Sequence, residues 1–308
     1  MKRAPSLLSI TNLPSNYFIW LREDYCSAIV SRAINLIGAS RLSKELGVPL
    51  KALANIKDGR KPLSVSQWLK IAEITHTPVS VLEKQVIRIR GCKGRPVSLK
   101  LPLKASSSLA SLIGYSITNS ISFHRRGGGV VLVMHYDDEY QKRHIKLASL
   151  QVFGVEPREN LSNYLVLPSA AGTILNKVGA PTKEDLRKGY RIPSWIWDWR
   201  KDFLISFQSG RRMRVVPSRR SLKLSLRVDS EEDRVLGFLW DVKNLYLSVG
   251  VEIRAEPRIE VKEAPNGSEI EYAVLEIGGY RTLLSILELG FTSKKKSLMV
   301  EKLVCSAS

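Results

Sequence analysis

Ala110, Gly114 and Thr118 stand at positions i, i+4 and i+8 of an apolar run, Leu109 to Ser120. Residues four apart share one face of a helix. The run therefore predicts a helix with a stripe of small side chains, which a second helix can approach closely. A partner run exists further along. Asp202 to Arg212 carries Ser206 and Gly210 at the matching spacing. Laying Gly114 on Ser206 places Asn119 on Arg211, and the chain downstream then corresponds as well. Gly154-Val155-Glu156 follows a helix expected over Tyr140 to Phe153, and Gly250-Val251-Glu252 follows one expected over Glu231 to Ser248. A closing helix comes next in each case, Ala170 to Val178 and Tyr280 to Leu289, ended by Gly179 and Gly290. From about residue 107 the chain thus reads as two copies of one α+β unit, 107–196 and 197–308.

The front of the chain has a different period. Between 24 and 87, apolar residues recur at helical spacing (Ile29, Ala33, Ile34, Ile37, then Leu42 and Leu46, then Trp68, Leu69, Ala72), with breaks at Gly47-Val48-Pro49 and Asp58-Gly59. This predicts an all-α domain of short helices: Ala39 to about Leu46, Pro49 to Lys57, and Val65 to Ile74. It resembles a helix-turn-helix of the Cro/lambda-repressor type, whose second helix enters the major groove. Gly47 suits the tight turn, and Leu46, Val48 and Leu53 suit the contact between helices. Lys51, Ala52, Asn55 and Ile56 are then expected near the open face. In this reading Lys51 and Asn55 reach base edges, while Lys57, Arg60 and Lys61 grip phosphates. Residues 1–23 form an N-terminal segment containing Tyr17, Phe18 and Trp20, and 88–106 read as a basic linker or extended arm.

Charge narrows the choice of partner. Lys+Arg number 48 against 29 Asp+Glu, a formal net charge of +19, while 44% hydrophobic content supplies a sizeable core. A surplus of that size favours a polyanion. The basic residues also gather on predicted strands. His124, Arg125 and Arg126 precede Gly127-Gly128-Gly129, and Arg211, Arg212, Arg214, Arg219, Arg220, Lys223 and Arg227 flank the turn at Pro217-Ser218. With period-two alternation, Arg212 and Arg214 share one face opposite Met213 and Val215, and Lys223 and Arg227 share one opposite Leu222, Leu224 and Leu226. Almost no acid interrupts 211–227, so this is expected to be an open cationic sheet that tracks phosphates.

The small-residue helices, their order and their spacing resemble the LAGLIDADG homing-endonuclease family over roughly Ser107 to Leu303. Tyr190 to Ile196 is similar to that family's join between halves, and Gly290-Phe291 followed by Lys294-Lys295-Lys296 is similar to its end. The resemblance implies two αββαββα repeats forming a pseudo-twofold saddle on duplex DNA, and a monomer suffices because both repeats lie in one chain. In the family each of the two helices ends in an acid that holds a catalytic metal. Here Asn119 and Arg211 stand at those positions. Asparagine is neutral and arginine repels a cation, so the resemblance implies a scaffold without cleavage, with no metal and no cofactor.

Other chemistry is thin. Cys26, Cys92 and Cys305 lack metal or disulfide spacing. His135, Asp137, Asp138 and His144 match no known ligand spacing and read as surface polar residues. No phosphate-binding loop of the Walker type and no G-x-S-x-G elbow occurs. No run approaches the length needed to cross a membrane. The resulting expectation is a cytoplasmic, nucleoid-associated protein that binds double-stranded DNA, as a transcriptional regulator or chromosome-associated factor. An RNA-binding maturase-like or ribosome-associated factor is the first alternative, and an active homing endonuclease with relocated acids is the second.

Overall fold

The protein was analysed as a computed structural model that describes residues 6–91, 94–124, 129–160, 163–228, 232–263 and 267–306. The front of the chain comprises β1 (Ser6–Leu8), β2 (Phe18–Leu21), α1 (Glu23–Ile37), α2 (Ala39–Leu46), α3 (Ala52–Lys57), β3 (Leu63–Ser64), α4 (Val65–Ile74), α5 (Val79–Glu83), β4 (Val86–Arg90) and β5 (Leu103–Lys104). Its helices begin and end on local signals. Gly47 takes a left-handed conformation (φ 62°, ψ 34°) that closes α2. Ser64 and Gln67 form a reciprocal capping box that opens α4. Gln67 Nε2 also donates to Leu46 O (2.6 Å), tying α4 to the end of α2. Trp68 lies fully buried, with its indole N–H donating to Ile19 O on β2 (3.1 Å).

Two expectations change here. The front unit is not all-α, because β2 pairs antiparallel with both β3 and β4 in a three-stranded sheet. The N-terminal segment therefore belongs to the unit's core, with Leu8, Ile10, Leu13, Tyr17, Ile19 and Leu21 all buried. Nor does 88–106 behave as a free arm. Val97, Leu99, Leu101, Leu103 and Ala105 are buried at every second position, and β5 pairs with β1. Alternate apolar side chains on extended backbone bury one face and leave Ser98, Lys100 and Lys104 outside. The basic residues in the stretch concealed that alternation.

The rest of the chain runs twice through one order of elements. The first pass is α6 (Ser107–Asn119), β6 (Ser120–His124), β7 (Val130–His135), α7 (Glu139–Phe153), β8 (Arg158–Asn160), β9 (Tyr164–Val166) and α8 (Ser169–Lys177). A short helix α9 (Lys183–Arg187) and a 3-10 segment (Ser194–Trp199) follow. The second pass is α10 (Arg200–Gln208), β10 (Met213–Val216), β11 (Ser221–Arg227), α11 (Glu232–Leu247), β12 (Arg258–Glu263), β13 (Glu269–Gly278) and α12 (Tyr280–Leu289), and α13 (Lys294–Cys305) ends the described chain. Each pass builds one antiparallel four-stranded sheet, in the orders β6-β7-β9-β8 and β10-β11-β13-β12. In both, the fourth strand lies between the second and the third.

The two passes meet where α6 packs on α10. A Cβ added at Gly114 would stand 2.5 Å from Phe203 O and 3.3 Å from Ser206 Cβ, and one at Gly210 would stand 1.9 Å from Thr118 Oγ1. Arg211 N donates to Asn119 Oδ1 (2.5 Å). Gly114 with Ser206, Thr118 with Gly210, and Asn119 with Arg211 are the pairs that the repeat alignment makes equivalent. Equivalent positions meet each other only on a two-fold axis, so the helices cross on a local pseudo-axis. The front unit docks on the first pass. Tyr17 Oη donates to Thr173 Oγ1 on α8 (2.6 Å), and Ser98 N donates to Phe153 O at the end of α7 (2.8 Å).

This contact sets a stability test. Gly114→Ala places a methyl group against main chain that cannot turn aside and should cost about 1–3 kcal/mol. Gly237→Ala on α11 meets nothing closer than 3.8 Å and should be neutral or gain up to about 1 kcal/mol of helix propensity. Denaturant unfolding of the two variants beside the wild type measures the contrast.

Candidate nucleic-acid interface

The second sheet has one buried and one open face. Met213, Leu222, Leu224, Leu226, Ala273, Leu275 and Ile277 are buried. The strand pairings Arg214↔Lys223↔Glu276 and Arg227↔Tyr272↔Glu260 lie across the other side, joined by Arg258 and Lys262. Arg214 is exposed, and so is Arg220 at the hairpin end, held there with φ 45°. Neither side chain enters an ion pair among the described residues. Arg219, in the 3-10 turn Pro217–Arg219, points back to Glu276 (3.4 Å). Arg227 is exposed at the end of β11.

Almost no acid interrupts 211–227, but the expectation of an open cationic sheet drawn from that stretch changes once the neighbouring strands are in place. Glu260 and Glu276 arrive from β12 and β13, far away in sequence and adjacent in the sheet. Lys223 Nζ donates to Glu260 Oε2 (2.6 Å) and is only 13% exposed. Arg258 bridges both acids, 2.7 Å from Glu260 and 3.0 Å from Glu276. Among the described residues six cations, Arg214, Arg219, Lys223, Arg227, Arg258 and Lys262, still outnumber the two carboxylates, so the described face stays cationic. Lys262 sits over the Tyr272 ring (5.3 Å). The period-two placement of charge in Arg258-x-Glu260-x-Lys262 marked these residues as facing one side, a signal that the reading of 211–227 alone missed.

Arg212 is also corrected. It does not share an open face with Arg214, since β10 starts at Met213 and the Arg212 side chain turns inward. Its guanidinium donates to the carbonyl oxygens of Ile117 and of Ser120 (3.3 Å for the latter) at the end of α6. Burial lowers its pKa from the ordinary arginine value, with Arg187 acting the same way. Lys296 on α13 binds the turn between α10 and β10, donating to Gly210 O (3.2 Å) and Met213 O (2.5 Å). Burial lowers its pKa too. Helix ends present unsatisfied carbonyls and a partial negative charge, which cations complement. Arg211 remains exposed beside the pseudo-axis, and Asn119 is buried, with Nδ2 unpartnered among the described residues. These groups do not fit a divalent cation: none is a carboxylate, and Asn119 Oδ1 and the carbonyl oxygens of Ile117, Ser120, Gly210 and Met213 already accept from Arg211, Arg212 or Lys296.

The first sheet differs from the second. Its open side carries the row Ile121↔Val133↔Val166↔Arg158 and, beside it, His135↔Tyr164↔Asn160. It is largely apolar, with Ile121 54% exposed. Arg125 and Arg126, expected to make this hairpin basic, lie outside the described residues. Burial lowers the His135 pKa, and Arg211 and Lys295 add to the effect against Asp137. Asp138 caps α7 and accepts from Ser293 Oγ (2.8 Å) and Lys295 N (2.9 Å), a tie between the two passes. Among the described residues, no three His, Cys, Asp or Glu side chains gather as a metal would require.

In the front unit, Lys51, Ala54 and Asn55 form the open side of α3, and Arg60 and Lys61 are exposed in the loop after it. Lys57 is half-buried. Ala52 and Ile56, expected near the open face, are buried with Leu53 against α1. A six-residue helix buries whichever side faces its longest neighbour, and α1 runs beneath α3. The front unit's contacts run to α7 and α8, so these residues and the cations of the second sheet form two separate groups. No protein-family model matches the chain, and no curated protein matches it in sequence.

The carboxylates give a pH test. Glu260 is held below the ordinary glutamate value of 4.5 by its hydrogen bond from Lys223 and by Arg258. Burial alone would raise Glu276, but Ser221, Arg258 and Arg219 together hold it below 4.5. Depressed folded-state values stabilise the protein above pH 4.5, and this contribution is lost as pH falls through them. Glu260→Gln with Glu276→Gln should therefore cost about 1 kcal/mol at pH 7. The gap from wild type should shrink below pH 4.5, as read by urea unfolding at several pH values.

Proposed function

We propose that this chain is a double-stranded DNA-binding protein on a degenerate, two-repeat LAGLIDADG-like scaffold, and that it has no cleavage activity. The observation that carries the reading is the open face of the β10-β11-β13-β12 sheet, where among the described residues six cations outnumber two acids. A polyanion bound there releases counterions, so affinity comes chiefly from phosphate contacts and falls with salt. The repeated order of elements and the helix pair crossing on a pseudo-axis support the scaffold. The cations at the helix ends support the loss of cutting, since Arg211, Arg212 and Lys296 stand where a metal-assisted reaction needs anions. The exposed Lys51 and Asn55 on α3 fit a second, base-reading contact of the helix-turn-helix kind. A regulator or chromosome-associated factor on the nucleoid is the role that matches both contacts.

One observation favours RNA as the second reading. Phe18 and Trp20 on β2 are half-buried, and the Arg90 guanidinium lies over both rings, 5.2 and 5.5 Å from their centroids. Arg88, exposed, stands across from Trp20. Aromatic rings interleaved with arginine are a stacking surface for unpaired bases.

Selection of bound sequences from random duplexes, with RNA as competitor, separates the two. A duplex consensus is the expected result, and preference for RNA overturns the proposal. Arg214→Ala with Arg220→Ala should weaken binding to all duplexes alike and reduce the slope of log affinity against log salt by about 2. Supercoiled plasmid incubated with the protein and Mg²⁺ or Mn²⁺ should stay intact, and metal-dependent nicking would remove the claim that cleavage is lost.

A further inference from the structure

The segment that joins the two passes fills a groove. Tyr190 sets its ring at a tilt against Phe238 on α11 (5.5 Å between centroids) and donates its hydroxyl to Gly179 O (2.5 Å). Arg191 makes a bidentate pair with Asp241 on α11 (2.7 Å for both bonds). Pro193 lies directly over Gly179, and the Trp195 indole N–H donates to Val178 O (3.0 Å). The walls are thus the end of α8, the side of α11, α6, and the start of α10.

The repeat requires a second groove of the same build, walled by the end of α12, the side of α7, α10, and the start of α6. It is present as a cavity of about 400 Å³, with Tyr140, His144 and Leu147 of α7, Asp202 and Ser206 of α10, and Thr292 among its lining. No described segment fills it. The chain before α6, which corresponds to the joining segment before α10, goes elsewhere. Ser98 bonds to Phe153 O, and Leu103 and Lys104 pair with β1. Tyr140 and Leu147 are left 54% and 56% exposed. Ser206 Oγ and Thr292 Oγ1 are buried beneath the groove, clustered with the Tyr115 hydroxyl.

We propose that this open groove docks a short extended segment of a partner protein that carries an aromatic side chain beside a proline, the chemistry with which Tyr190 to Trp197 fills the equivalent groove. The walls say how it is held. Leu147, Leu289 and Phe291 take apolar side chains at the mouth. His144, whose pKa burial lowers, presents a neutral imidazole where the filled groove presents Asp241, so no arginine is demanded at that wall.

The probe is a fluorescent peptide with the sequence of residues 188–199, titrated into the full chain, whose own joining segment already occupies the other groove. Saturable one-to-one binding is expected. Leu147→Glu should weaken it by about tenfold or more, since a charge replaces an apolar contact, and Tyr140→Ala should weaken it as well. Leu36→Glu, equally exposed on α1, should leave it unchanged. Absence of saturable binding, equal binding of a scrambled peptide, or insensitivity to both groove substitutions overturns the proposal. So does self-association of the chain that Leu147→Glu abolishes, which would assign the groove to a second copy.

Discussion

Main chain touches side chain where α6 crosses α10, and the rest of the architecture follows from that closeness. Only glycine at 114 and at 210 permits it. The crossing places the ends of two helices side by side, with their carbonyl oxygens concentrated in one small volume. Left alone, such a junction would be electronegative and poorly hydrogen-bonded. The protein answers with cations, half-buried Arg212 for Ile117 O and Ser120 O, and buried Lys296 for Gly210 O and Met213 O of the turn after α10. A charged donor held by fixed carbonyls is worth keeping buried, whereas truncating it would strand them. The same cations offset the negative potential of the helix ends.

How far the sequence could be read depends on how local each signal was. α4 over Val65–Ile74 and α12 over Tyr280–Leu289 follow the expected bounds, because apolar periodicity and caps are written within a few residues of the element they define. The meeting of Gly114 with Ser206 was legible for the same reason, since small residues four apart need no distant partner to be seen. Arg212 was not. Its neighbours Arg211 and Arg214 are exposed, and nothing nearby in sequence marks it as the residue that turns inward to carbonyls some 90 positions earlier. Glu260 and Glu276 escaped in the same way, since partners across a sheet are remote along the chain. The apolar residues at 97, 99, 101, 103 and 105 were visible in principle, but their alternation was masked by the basic residues around them.

The positive surplus therefore has three separate uses. Some cations are structural and internal, as Arg212 and Lys296 are. Some are neutralised within the surface, including Lys223 by Glu260 and Arg191 by Asp241. Others, such as Arg211, Arg214 and Arg220, face solvent with no ion pair among the described residues. Formal net charge counts all three alike, whereas attraction of a polyanion depends mainly on the last group and, through local competition, on the second. The acids on β12 and β13 also fix cation geometry, as Arg258 is held between two carboxylates and Lys223 is drawn along the sheet. A face organised in this way offers its charge at set positions, which suits a partner of regular phosphate spacing better than a flexible one.

The two passes share a topology but have diverged in what they present. The second offers a cationic sheet and has its groove filled by the joining segment. The first offers a sheet row of Ile121, Val133 and Val166, and leaves its groove open. A duplex lying over both sheets would be gripped mainly by the second. The front unit docks on the first, through Tyr17 to Thr173 and Ser98 to Phe153, and carries Lys51, Arg60 and Lys61 with it. In the DNA-binding reading, this placement adds cations to the half whose sheet is largely apolar. In that reading the front unit supplements the first repeat's share of the contact, and the open groove of that repeat stays free for a protein partner.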